Sequence, residues 1–268
     1  MRKFISLTSD FGAQTHGVGI MEGTALSIAP DANVIHLMHG LPVFEIIAAA
    51  RTMETIFYLP VGCHVCVCDP GVGTDRKAII CEVARGDHLI GPDNGVLIPA
   101  CQTLGGIKKV REITNPHYML QPVSPTFHGR DIFVPAAAHL TNGVPLDEFG
   151  PNVDPTALAP GPYDEAIVND GLVVATIIQI NRYGSIHLNI RHEQWDSLGL
   201  TEGHSVVLRL PSGLEVHLPV CRTFGVVPKG QCLILKDDHG RVEIAKSLGS
   251  FVQQYPVGVG ELVEIVLP

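Results

Sequence analysis

The sequence predicts an α/β N-terminal domain, with a mostly parallel sheet and flanking helices, and then a small antiparallel β-barrel-like C-terminal domain. Three observations carry this expectation. Over the first 150 residues, short β-rich runs alternate with helical patterns, the rhythm of strands joined by crossover helices. From 149 to 162 the chain reads FGPNVDPTALAPGP, a proline density that sustains neither a helix nor a central strand. Beyond it, short apolar runs are separated by Gly, Pro, Asn and Asp, the pattern of a small barrel or sandwich. The expected organisation is residues 1–150 as the α/β domain, 151–165 as a Pro-rich linker, and 166–268 as the barrel-like domain.

Phe4–Thr8 reads as a strand, Gly17–Ala29 as a helix and Asn33–Leu37 as a second strand. Between Val43 and Leu59, apolar Val43, Ile46, Ile47, Ala50, Met53 and Phe57 recur at the spacing of one helix face. Cys63–Cys68, Ala78–Val83 and His88–Ile90 read as further strands, GPDNG (91–95) as a turn, and Asp131–Leu140 as the next helix. In the C-terminal part the strand candidates are Leu172–Ile180, Ser185–Ile190, Ser205–Leu210, Leu214–Val220 and Leu262–Val266.

Of 268 residues, 46% are hydrophobic and 17% charged, a balance that folds rather than stays disordered. A net charge of −9, with no Lys/Arg run longer than two, argues against nucleic-acid or anionic-membrane partners. No stretch nears the roughly 18 apolar residues of a membrane span. No apolar signal region follows MRKFISLTSDFG, and seven cysteines is an odd number; together these lead to an expectation of reduced thiols in the cytoplasm. Cys63, Cys66 and Cys68 with His64 superficially suggest metal ligands. On a strand, however, Cys66 and Cys68 share one face and pack as small hydrophobes, and no second pair completes a zinc spacing, so no metal site is expected.

Ligands of open α/β sheets bind beyond the carboxyl ends of the strands. Asp10 closes the first strand in LTSDFG, Asp69 closes another in CDPGVGTDRK, and GPDNG follows a third. Each acid alone reads as a turn-starter. Two of them on neighbouring parallel strands point to a site, with Asp10 placed to accept from ribose hydroxyls. SPTFHGRDIF (124–133) adds His128 beside Gly129, a glycine that permits close ligand approach, while Arg130 and Asp131 read as a helix-start ion pair. Phosphate binding has no support: neither GxxxxGK[ST] nor a GxGxxG after the first strand is present.

LTSDFG, CDPGVGTDR, GPDNG and TFHGRDIF, in this order and spacing, resemble the S-adenosyl-L-methionine (SAM) hydroxide adenosyltransferases, the adenosine-forming SAM hydrolases related to fluorinase and chlorinase. The likeness runs over nearly the whole chain and includes RVEIAKSLGSF (241–251). It implies attack at C5′ of SAM with methionine leaving, by water in the hydrolases and by halide in the halogenating relatives, with SAM as substrate and no cofactor or metal. By the same resemblance Asp69, Arg76 and His128 form the water-handling trio, Gly129 lies beside the nucleophile, Asp10 holds the ribose hydroxyls and Phe44 covers the ligand. Its intrinsic pKa favours His128 as proton acceptor with Asp69 orienting, although either can serve. Homotrimers are implied, each site lying between one subunit's N-terminal domain and a neighbour's C-terminal domain.

The C-terminal match departs from the family pattern. Where the family has Asp-x-Phe-Gly-Asn, this chain has NRYGSIHLN (181–189): Asn181 for the acid, Tyr183 for the phenylalanine and Ser185 for the asparagine. A hydroxyl at 185 offers fewer adenine-edge bonds than an amide, and main chain around Lys246 to Leu248 compensates in this reading. Asp238 stands where the family tends to have serine, and either takes over the methionine ammonium or is a solvated turn acid. Three other functions stay open. A halide-dependent adenosyl transferase is disfavoured because a halide needs no proton acceptor. The others are a nucleoside- or SAM-binding protein without catalysis, and a metal-dependent hydrolase using Asp10, His16, Asp69 and His128.

Overall fold

A computed structural model describes residues 3–268. The chain divides into two compact units, with the boundary in sequence between Pro162 and Tyr163. The first contains a six-stranded sheet of β1 (Phe4–Ser9), β2 (Asn33–Met38), β3 (Cys63–Val67), β4 (Ala78–Val83), β5 (His88–Pro92) and β6 (Ile107–Glu112), in the order β2-β1-β3-β5-β4-β6. Its helices are α1 (His16–Ile28), α2 (Ile46–Glu54), α3 (Ile98–Thr103) and α4 (Val134–Thr141). Pairings β1–β2, β1–β3 and β3–β5 are parallel, so the ends of β1 and β3 lie side by side. Ile5, Leu7, Val65 and Ile80 pack with Met21, Ala25 and Ala136–Ala138 of α1 and α4 in one core.

β4 runs antiparallel to both β5 and β6, which makes the sheet mixed. The four residues 84–87 between β4 and β5 are the reason: a parallel return needs a crossover of a dozen residues or so, a reversed one only a hairpin. The α2 region also differs from its periodicity. Phe44 sits at φ 66°, so the helix starts at Ile46, after the left-handed residue, and its last turn tightens to a 3₁₀ helix over Thr55–Tyr58. Residues 151–153 hydrogen-bond along β6 (Glu112 N to Pro151 O, 3.0 Å; Val153 N to Val110 O, 3.1 Å), so this proline-rich stretch begins as an added sheet edge.

His64, a neighbour of three cysteines in sequence, belongs to a buried staple. Its Nε2–H donates to Asp87 Oδ1 at 3.0 Å, and its Nδ1 accepts from Ser6 Oγ at 2.7 Å. Burial pushes the Asp87 carboxyl pKa up, but bonds from His64, Arg85 and Gly62 N outweigh that and hold it well below the ordinary range. A depressed carboxyl pKa contributes stability that is present above its unfolded value, about 3.9, and is lost as pH falls through and below that value. Asp87→Asn is therefore expected to show a flatter decline of Tm between roughly pH 5 and 3 than the unmodified protein, measured by thermal melts of both across that range; parallel declines would remove the assignment.

The second unit is an eight-stranded antiparallel sheet: β7 (Ile167–Asn169), β8 (Leu172–Ile180), β9 (Ile186–Arg191), β10 (Ser205–Arg209), β11 (Glu215–Pro219), β12 (Cys232–Lys236), β13 (Arg241–Lys246) and β14 (Leu262–Val266). The order is β11-β10-β14-β8-β9-β13-β12, with β7 on β8. A bridge between Val220 and Ile234 draws the two outer strands together into a nearly closed barrel. Short helices α5 (His192–Ser197) and α6 (Phe251–Gln254) plug it with Trp195 and Phe251. Among the described residues no helix is long and apolar enough to cross a membrane.

Candidate active site

The loop after β3 folds back on itself through two tight turns, Val72 N to Asp69 O (3.2 Å) and Thr74 N to Gly71 O (3.1 Å). Gly73 takes φ 76°, and a Cβ there would lie 2.3 Å from Pro125 O. Only glycine both adopts that backbone and lets the turn touch the segment leading to His128. The return brings Arg76 onto Asp69: Nε donates to both carboxylate oxygens at 3.0 Å, and a terminal nitrogen bonds Oδ2 as well. That same nitrogen donates to His128 Nδ1 at 2.7 Å, and the guanidinium stacks 5.2 Å from the Phe133 ring centre. Asn94, from the GPDNG turn, anchors the loop's root by donating to Cys68 O at 3.0 Å, whereas Asp93 turns away to accept from Ala159 N.

His128 precedes a single π turn, Gly129–Phe133, that runs into α4. A Cβ on Gly129 would lie 3.0 Å from Met21 Sδ and 3.2 Å from Val67, so glycine here lets the turn settle against β3 and α1. Buried Asp131 accepts from Ser124 N at 2.8 Å and pairs with Arg130, which fixes the preceding loop. Asp10 ends β1, and its Oδ2 accepts from Phe44 N at 2.9 Å. Asp10, Phe44, Asp69, His128 and Gly129 together line a cavity of about 210 Å³. Phe11, Val43, Thr126 and Phe127 complete much of its wall. These residues were not singled out from the sequence, although three of them lie inside LTSDFG and TFHGRDIF.

Electrostatics and hydrogen-bond direction set which nitrogen of His128 carries a proton. Burial first, then the charge of Arg76, hold the His128 pKa below its ordinary value, outweighing Asp69 and Asp131. Arginine only donates, so Nδ1 of a neutral His128 is an acceptor and the ring proton sits on Nε2. The imidazole's one lone pair is thus committed to Arg76. His128 thus presents Nε2–H as a donor, and the Asp69 carboxylate keeps acceptor capacity beside it.

The metal option gains no cluster from the geometry. Among the described residues the group of His, Asp and Glu atoms gathered closely enough for a cation is Asp237, Asp238 and His239, which does not include Asp10, His16, Asp69 or His128. Burial pushes the Cys63 thiol up to about 11 and the Cys68 thiol up to about 12, so both stay protonated.

In the second unit Asn181 is consumed by its own turn. Its Oδ1 accepts from Tyr183 N and Ser185 N at 3.0 and 3.1 Å, and its Nδ2 contacts His187 Nε2 at 3.2 Å and Glu243 Oε1 at 3.4 Å. An acid at this position could not donate to either partner and would crowd a second carboxylate against Glu243, which accounts for the amide. The acid facing His187 is Asp237, through a 2.9 Å bond to Nδ1, and not Asp238. Asp238 pairs with His239 and has a side chain 93% exposed. Asp238 is thus an exposed partner of His239, and Asn181 is bound into the turn ahead of β9. Ser185 is buried. Tyr183 and Leu248 are 73% and 83% exposed, and their loops are tied by Val252 N to Gly184 O at 3.1 Å. Leu248 takes φ 49°, and Lys246 O accepts from Gly249 N.

A family model described as the SAM hydroxide adenosyltransferase N-terminal domain matches residues 5–150, and one described as the C-terminal domain of the same family matches 175–264. The chain belongs to the SAM hydroxide adenosyltransferase family. An (R)-S-adenosyl-L-methionine hydrolase of Salinispora arenicola is 35% identical over 263 residues, spanning 98% of this chain and 97% of that protein. A fluorinase of Nocardia brasiliensis is 23% identical, spanning 98% and 97%. A solved structure of an uncharacterized conserved protein from Thermotoga maritima superimposes with a TM-score of 0.91 at 30% identity, covering 98% of this chain and 99% of that one. In this member of the SAM hydroxide adenosyltransferases, the α/β and barrel-like units correspond to the two family domains.

Proposed function

We propose that the protein hydrolyses SAM to adenosine and L-methionine, water attacking ribose C5′ as the thioether of methionine leaves. The observation that carries this reading is the single hydrogen-bonded unit of Asp69, Arg76 and His128, of which Asp69 and His128 line one cavity together with Asp10 and Phe44. Deprotonating bulk water, pKa 15.7, at pH 7 costs about 12 kcal/mol at 1.36 kcal/mol per unit. The guanidinium of Arg76 lowers that cost by favouring hydroxide character. His128 Nε2–H orients the water, and Asp69 accepts its proton as the new C–O bond forms and the C–S bond breaks. The proton then passes to solvent. The sulfonium charge disappears in the same step, so its repulsion by Arg76 raises the reactant more than the transition state.

In this reading Asp10 holds the ribose hydroxyls, Phe44 covers the nucleoside, Gly129 makes room beside C5′, and no metal or cofactor takes part. Tyr183, Ser185, the main chain of Lys246–Leu248 and Asp238 serve the adenine and methionine ends from a neighbouring subunit of a homotrimer. The high exposure of Phe44 in one unit, and of Tyr183 and Leu248 in the other, supports an arrangement that covers them on assembly. Free, buried cysteines suit a reducing compartment, the cytoplasm. The greater identity to the hydrolase than to the fluorinase supports water over halide as nucleophile. Incubation with SAM, with and without chloride, fluoride or EDTA, tests the reading by product analysis. Equal adenosine and methionine in every arm is the expected result. A 5′-halogenated nucleoside would indicate adenosyl transfer to halide, loss of activity in EDTA a metal hydrolase, and intact SAM with tightly bound adenosine a binding protein.

A further inference from the structure

Beneath Asp10 lies a chain of side chains that the proposed hydrolysis does not use. Glu22 on α1 meets His36 Nε2 at 3.2 Å; His36 Nδ1 meets His39 Nε2 at 2.8 Å; His39 Nδ1 meets Ser9 Oγ at 2.7 Å. Ser9 Oγ in turn accepts from Phe11 N at 3.5 Å, and Gly12 N donates to His39 O at 2.7 Å. Glu22 and His36 are partly exposed, whereas Ser9 is buried and His39 is 6% exposed.

The carboxylate sets the sense of every bond. Glu22 only accepts, so a neutral His36 carries its proton on Nε2 and accepts at Nδ1. His39 must then donate from Nε2 and accept at Nδ1, which leaves the Ser9 hydroxyl as donor to His39 and its lone pair to Phe11 N–H. Burial, followed by the nearby His36, lowers the His39 pKa to about 4, so the ring is neutral near pH 7 and the direction is preserved. The residues on both sides of Asp10 are thereby clamped: Ser9 through its hydroxyl, Phe11 and Gly12 through their backbone N–H groups.

We propose that His39 is a positioning residue for Asp10, fixing the backbone at residues 9–12 through the Glu22–His36–His39–Ser9 chain so that the carboxylate is aimed at the ribose. The inference rests on Asp10 being the ribose-binding group of the proposed site. Loss of a clamp on a binding group, and not on the attacking water, raises KM and the Kd for adenosine while leaving kcat nearly unchanged.

The test measures adenosine Kd by calorimetry, and KM and kcat for SAM, in His39→Phe, His39→Gln, Asp10→Ala and the His39→Phe/Asp10→Ala double variant. His39→Phe is expected to raise Kd and KM roughly threefold to tenfold, about the net worth of one buried hydrogen bond, with kcat within about twofold. His39→Gln, whose amide can accept and donate in the same sense, is expected to recover much of that loss. In the Asp10→Ala background His39→Phe is expected to add nothing further. Should His39→Phe fail to fold, Ser9→Ala and the partly exposed Glu22→Ala replace it, with the same direction expected. Undiminished effects without Asp10, or a fall in kcat at constant KM, would overturn the proposal while leaving hydrolysis intact. A wild-type protein that neither binds adenosine nor consumes SAM would remove both.

Discussion

Arg76→Lys is expected to lower kcat for SAM hydrolysis by roughly 10²-fold or more, with KM within a few-fold. The guanidinium reaches Asp69 through two nitrogens and His128 through one of the same two, which ties three groups into one unit. An ammonium keeps the charge but is a point donor without the fork, so it cannot span both partners. The His128 lone pair then loses the donor that fixes it. Lysine is chosen over an apolar replacement because leaving the largely buried Asp69 carboxylate unpaired would destabilise the fold by about 3–5 kcal/mol and confuse the two effects. Steady-state kinetics check the result, and a kcat within about threefold of wild type would show that charge alone suffices.

Gly73→Ala is expected to cost about 2–5 kcal/mol of stability, combining the left-handed backbone penalty with a clash against the Pro125 carbonyl. Relief of the clash separates the Arg76 loop from the segment carrying His128, so kcat is expected to fall as well. Gly171→Ala provides the comparison. Its φ of 75° nearly equals that of Gly73 at 76°, yet nothing lies within 4 Å of its would-be Cβ. It is expected to cost only about 1–2 kcal/mol and leave kcat unchanged. Urea unfolding with parallel assays separates the two, and equal losses in both variants would show that backbone strain, and not the loop contact, dominates.

The parts of this molecule that were legible in sequence are those decided locally. Strands at Phe4, Asn33, Cys63 and Ala78 follow from short apolar runs, and the acids Asp10 and Asp69 from their place at strand ends. The reversed direction of β4 was encoded in the four-residue link before β5, a matter of chain length and not of composition. β13 was harder to see because Arg241 and Glu243 are buried between its apolar residues. Arg241 bonds Glu165 and Asn189 O, partners distant in sequence, so its polarity signals a tertiary network instead of solvent. The same limit applies at the site. Residue types suggested that Asp69, Arg76 and His128 belong together. Which nitrogen of His128 faces Arg76, and hence which group can take a proton, depends on the loop contact at Gly73. Asn181 stands in sequence only as a departure from the family's acid, whereas its turn and its bonds to His187 and Glu243 give the amide a structural reason.

The most direct test of the central claim follows the oxygen. Turnover of SAM in water enriched in ¹⁸O, with mass analysis of both products, is predicted to place one labelled atom in adenosine at the 5′ position and none in methionine. Label in a methionine-derived product, or adenosine formed without label, would contradict attack by a bound water at C5′.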